Sequence, residues 1–177
     1  MKRRVMLAVM IVVGVGLPVR GQNQPTLGQQ VAVLKALNPG ISTVGVLASS
    51  VSEKRMEEIT RAGMGQHVEV IFARPKDARD VASFYRQLVS EKGVKVLWLP
   101  EDDDNLVLGV GFDYLREQAI SDKVSICVVD ESLVSKGALC AMEVKGGKVT
   151  AVVNQKLAAL LGVNVPSAQG SIAYLLR

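Results

Sequence analysis

The chain has 177 residues, room for one ordinary domain with one core. Its 21 Lys and Arg against 17 Asp and Glu give a formal net charge of +4, but Lys2, Arg3, Arg4 and Arg20 fall in an amino-terminal leader, and without them bases and acids balance at 17 each. A neutral chain with only 4% aromatic residues has neither the electrostatic footprint of a nucleic-acid binder nor a stacking platform for single strands, so no nucleic-acid partner is expected.

The leader, MKRRVMLAVMIVVGVGLPVRGQ, has the three parts of a secretory signal: basic residues, an apolar run from Val5 to Leu17, and short residues at Val19 and Gly21. We expect a signal peptide over 1–21, cleaved after Gly21, and a single domain over 22–177. The apolar run falls well short of the roughly 20 residues that span a bilayer. No cysteine stands directly behind it at the expected new amino terminus, so a lipoprotein-type anchor has no acceptor there, and the processed protein is expected to be periplasmic or secreted.

Beyond the leader, apolar runs of strand length alternate with longer amphipathic segments about four times, which predicts an α/β fold. A helix over 28–37 stops at Asn38-Pro39-Gly40. The first strand is TVGVLA, 43–48, and Ser50 or Ser52 caps the helix that follows and runs to Gly63. HVEVIFA, 67–73, is the second strand, and Asp77 caps a helix over 78–91 that Gly93 ends. The third strand, 94–99, is almost entirely apolar, as a central parallel strand covered on both faces should be. An acidic run, EDDDN, leads to a helix over about 106–121, and VSICVV, 124–129, is the fourth strand. SLVSKG predicts one helical turn, ALCAMEVKGGKVTAVV two short strands about Gly146-Gly147, and 154–161 a helix stopped by Gly162. Right-handed crossovers then give a three-layer sandwich about a mainly parallel sheet.

In such a sheet, ligands bind outside the carboxyl ends of the strands, where strand order reverses. Three polar loops matter there: Ser49, Ser50 and Ser52 after the first strand, Asp102, Asp103, Asp104 and Asn105 after the third, and Asp130, Glu131 and Ser132 after the fourth. Backbone N–H groups and short oxygen-bearing side chains on one side of the domain suit a small polar solute. The acidic run has three readings: a helix cap favoured by the helix dipole, an oxygen-ligand site for a divalent ion, or a ligand-side loop. Catalysis is poorly served. His67, the one histidine, starts a strand at its opposite end, and no Ser-His-Asp set, nucleotide loop or metal-ligand spacing is present, so we expect a binding protein without catalytic residues, metal or cofactor. Cys127 and Cys140 lie in apolar strand runs and read as small buried residues, since neighbouring parallel strands seldom offer disulfide geometry.

The segments ALNPGISTVGVLASS, LWLPEDDDNLV and VVDESLVSKGALCAMEV, in that order and spacing, resemble the later lobe of ABC transporter substrate-binding proteins of the tryptophan/tyrosine type, the DESLVSKGAL stretch most specifically. The resemblance implies one lobe of a periplasmic-binding-protein type 1-like fold. Its cleft would be lined by Ser49 and Ser50, 102–105 and 130–132, would hold an amino acid or similar solute, and would serve transport with a membrane permease. Family members close two lobes on the ligand. The single lobe read here is expected to complete its cleft as a homodimer or with another protein, or to act as a periplasmic regulatory or interaction module on a membrane sensor or envelope partner.

Overall fold

The computed structural model describes residues 24–100, 110–167 and 171–177. The leader expected over 1–21 and the acidic run Asp102 to Asn105 lie outside the described residues.

Helix α1, Leu27–Leu37, starts at Thr26, whose hydroxyl accepts the Gln29 N–H while the Gln29 side chain accepts the Thr26 N–H. This reciprocal pair satisfies two donors that a helix start leaves open. Strand β1, Thr43–Leu47, leads to α2, Glu53–Met64, capped by Ser52 Oγ, which accepts the Arg55 N–H at 3.2 Å. The helix ends at Met64, one residue beyond the glycine expected to stop it. Gly63 serves close approach instead: a Cβ there would stand 2.6 Å from Val70 Cγ2 and 2.7 Å from the Val68 carbonyl oxygen.

Strand β2, Glu69–Ala73, is shorter than predicted, because His67 takes a left-handed backbone (φ 55°) in the turn before it. Asp77 caps α3, Ala78–Arg86, through the N–H groups of Arg79 and Asp80. The helical course continues to Glu91 as a wider π-helical turn over Gln87–Glu91, which lets the adjacent Leu88 and Val89 both enter the core. The remaining elements are β3, Val96–Trp98; α4, Val110–Asp122; β4, Ser125–Val128; α5, Ser132–Ser135; β5, Cys140–Lys145; β6, Lys148–Val153; α6, Gln155–Leu161; and β7, Ile172–Leu176.

All seven strands form one sheet in the order β2-β1-β3-β4-β5-β6-β7. The first five in that order run parallel; β6 turns back from β5 through Gly146 and Gly147, both at positive φ, and β7 joins β6 in parallel at the edge. The short apolar end of the chain, IAYLL, becomes a strand through its pairing with β6.

Strand alternation splits the core in two. Leu47, Leu97, Ile126 and Val152 pack with residues of α3, α4 and α5, whereas Val46, Trp98, Cys127 and Met142 pack with α1, α2 and α6. That is the three-layer α/β sandwich of a doubly wound sheet. Cys127 and Cys140 are register partners on β4 and β5, buried and present as free thiols. Their mutual contact and their burial push the Cys140 thiol well above its usual range.

Candidate functional site

The sheet order places a reversal between β1 and β3. The chain leaves β1 for β2 on one side and returns to β3 on the other, and in doubly wound sheets such a reversal is where ligands bind, outside the carboxyl ends of the strands. Val46, Trp98 and Cys127 share one row of the sheet, so β1, β3 and β4 end at nearly one level. With neighbouring strands about 4.8 Å apart, the outer two of these ends are about 10 Å apart.

Three residues beyond that row come Ser49 on β1's exit and Asp130 on β4's. Ser49 is half-buried and Ser50 exposed, and Ser52 is committed to capping α2. Asp130 is pinned by its neighbour. Its Oδ1 accepts the Ser132 N–H and its Oδ2 the Ser132 hydroxyl, both at 2.8 Å, which shapes the turn into α5. The Ser135 hydroxyl in turn donates to the Ser132 carbonyl at 2.8 Å.

Glu131 faces a charge cluster that sequence reading did not connect. Arg177 pairs with its Oε1, and Lys145 Nζ lies 3.6 Å from its Oε2 and also pairs with Glu143. The Glu143 carboxylate, and Glu131 after it, hold the Lys145 ammonium above its ordinary range. The reach of Lys145 comes from the hairpin. Ala141 is level with Val128, yet β5 runs on to Lys145, about 13 Å past that level at 3.3 Å per residue. The β5–β6 hairpin therefore stands as a wall on one side of the strand-end face.

Behind the turn lies a cavity of about 480 Å³ lined by Glu131, Ser132, Val134, Ser135, Asn154 and Arg177. Asn154 does two jobs there: its Oδ1 caps α6 by accepting the Leu157 N–H at 3.0 Å, and its Nδ2 donates to the Val134 carbonyl at 3.1 Å. Asn154 carried a legible signal as a helix start. Lys145 and Arg177 carried none, because their place depends on the register of β5, β6 and β7. Of the ten residues expected to line the site, Ser49, Ser50, Ser52, Asp130, Glu131 and Ser132 are described, and all six leave the carboxyl ends of β1 and β4. Among the described residues no three His, Cys, Asp or Glu side chains stand close enough to hold a metal ion, and no helix is long and apolar enough to cross a membrane.

No curated protein sequence matches the chain. Among solved structures, the ABC domain in complex with L-Trp from Streptococcus pneumonia aligns with a TM-score of 0.70 at 21% identity, covering 85% of this chain and 62% of that one. A substrate binding protein with adhesive properties from Clostridium difficile, in a ligand-free, open form, gives 0.68 at 16% identity, over 86% and 60%. A conserved domain protein from Vibrio cholerae gives 0.67 at 18% identity, over 85% and 60%. At these identities the likeness is one of fold, and this chain spans about 60% of the length of the structures it matches. The family model described as ABC transporter substrate binding protein matches residues 8–168, nearly the whole chain, and carries the assignment further than fold. The chain belongs to the ABC transporter substrate binding protein family.

Proposed function

We infer that the protein is an exported solute-binding component of an ABC uptake system, which holds a small polar solute such as an amino acid at the carboxyl ends of β1, β3 and β4 and presents it to a membrane permease. The observation that carries this reading is the family match over residues 8–168, joined to a reversal point that sends Ser49, Ser50 and the 130–132 turn out on one face. The L-Trp complex of the Streptococcus pneumonia structure supports an amino acid as the solute class.

The roles in this reading divide among the loops. Ser52 and Asp130 shape their loops, while Ser49, Ser50 and the Ser132 hydroxyl offer polar contacts to the solute, together with Asp102, Asp103, Asp104 and Asn105 after β3. Glu131 acts through its ion pairs with Lys145 and Arg177, which tie the turn after β4 to the hairpin wall. The protein performs no reaction on the solute and needs no cofactor. The leader expected over 1–21 supports export.

Isothermal titration of the purified protein with the standard amino acids tests the reading. Saturable binding of at least one, weakened by replacing Ser49 and Ser50 with bulkier residues, is the expected result. A folded sample that gives no heat and no thermal shift with any of them overturns it. Fractionation of cells producing the full chain tests export: the protein should appear in the periplasm or medium, shortened by about the length of the leader.

A further inference from the structure

We propose that a second site, away from the strand-end face, takes a small amphiphilic anion: an apolar body carrying one negatively charged head group. The site lies beside the segments that lead into β1 and β3. A cavity of about 530 Å³ opens there between the 38–43 loop, the Lys92–Lys95 segment and the residues that follow α6. It adjoins a second cavity of about 680 Å³ along α1, and the two share Pro39 and Asn164 in their walls. Each volume falls within the roughly 300–1,000 Å³ of ordinary small-molecule sites.

The charge of this groove is one-sided. Among the described residues, its charged lining residues are Lys35, Lys92 and Lys95, and no Asp or Glu lines either cavity. Among the described residues, none of the three ammonium groups has a carboxylate within 4 Å, whereas Lys145 and Arg177 on the strand-end face are ion-paired. Lys35 is fixed in place by donating to the Gln66 carbonyl at 2.5 Å, which leaves two of its three N–H groups for a ligand. Lys92 and Lys95 are exposed and flank Gly93, whose positive φ turns the chain tightly between them.

The rest of the wall has two characters. Asn164 and Ser42, both exposed, add neutral hydrogen-bonding groups beside the cations. Ile41, Leu161, Val163 and Ile172 add half-buried apolar surface. A bare inorganic anion uses only the lysines, and a neutral apolar molecule uses only the floor. A ligand that uses both is an organic anion with an apolar chain or ring. The site is independent of the solute reading, since it shares no lining residue with the strand-end loops.

Decanoate below its micellar concentration is the probe, followed by amide chemical-shift mapping on the whole protein. The expected result is saturable binding with shifts concentrated at 35–43, 92–95 and 161–164. The double variant Lys92→Gln, Lys95→Gln should bind about tenfold more weakly, the loss expected for two exposed charge contacts. Affinity of the unaltered protein should also fall as salt is raised from about 50 to 500 mM, a measurement that needs no variant. Inorganic phosphate and the neutral amphiphile octyl glucoside serve as comparisons. Equal binding of either one, shifts confined to the 49–52 and 130–132 loops, salt-independent affinity, or no saturable decanoate binding would each overturn the proposal. An amino-acid titration run alongside should be unchanged in the double variant, which separates failure here from failure of the solute reading.

Discussion

Gln30 is a polar residue where an apolar one would bury more easily, and its replacement by methionine tests why it is there. It is 1% exposed, on the inner face of α1, and both ends of its amide are used. Gln30 Oε1 accepts the indole N–H of Trp98 at 3.1 Å, and Gln30 Nε2 donates to the Pro25 carbonyl at 2.9 Å. Trp98 is wholly buried at the carboxyl end of β3. Gln30→Met keeps length and approximate volume but removes both bonds. Stranding the buried indole N–H costs about 1–3 kcal/mol, and the loss of the Pro25 bond adds about 1 kcal/mol. Removing the amide from the interior returns about 1 kcal/mol of apolar burial, so the net loss is about 1–3 kcal/mol. Trp98 is the chain's one tryptophan, so urea unfolding followed by its fluorescence reads the answer directly. A variant within about 0.5 kcal/mol of the parent, at an unchanged m-value, would refute the claim that this bond holds β3 against α1.

Four further outcomes follow from the same geometry. Gly63→Ala should destabilise by about 1–3 kcal/mol, because its Cβ meets the Val68 backbone; an exposed helix would gain from the same change, so a stabilised variant contradicts the close approach. Asp130→Ala loses both bonds to Ser132 and should cost about 1 kcal/mol in urea while abolishing amino-acid binding, and intact affinity would remove that turn from the site. The side-chain hydrogen bond from Arg79, with the Arg79 backbone N–H after it, holds the Asp77 carboxyl below its ordinary range, so the stability this adds is present above the usual carboxylate pKa and is lost as pH falls through the lowered one. Asp77→Asn should accordingly show a flatter decline in urea midpoint between pH 5 and pH 2.5; parallel declines would be inconsistent with it. Cys127 and Cys140 should resist a thiol-specific chromophoric reagent at pH 8 in the folded protein and react together in denaturant, since both are buried and their contact raises the Cys140 thiol; rapid labelling of the native state would count against that packing.

The helix starts at Asp77, Asn154 and one of Ser50 or Ser52 were legible because a short oxygen-bearing side chain before an apolar periodic run is a local signal, and in the structure Ser52, Asp77 and Asn154 each accept a backbone N–H of the following turn. Strand boundaries were less so. His67 and Val68 look like strand residues, but the left-handed His67 belongs to the turn that brings Gly63 against Val68. The π-helical turn at Gln87–Glu91 has no distinct composition, since its apolar pair Leu88-Val89 fits an ordinary helix almost as well.

By itself the sequence determined the α/β class, the order of elements as far as α6 and which loops leave the carboxyl ends of the first four strands, because strand and helix periodicity, caps and glycine turns are local and β-α-β crossovers have one favoured hand. Only the tertiary structure decided what those loops are committed to. The Glu131, Lys145 and Arg177 cluster, the Asn154 bridge to Val134 and the Gln30 to Trp98 bond join residues far apart in the chain, through the register of β5, β6 and β7 and the packing of α1 on β3. A pairing register shifts every side chain to the other face when it slips by one residue, so no local pattern can announce such contacts before the sheet is assembled.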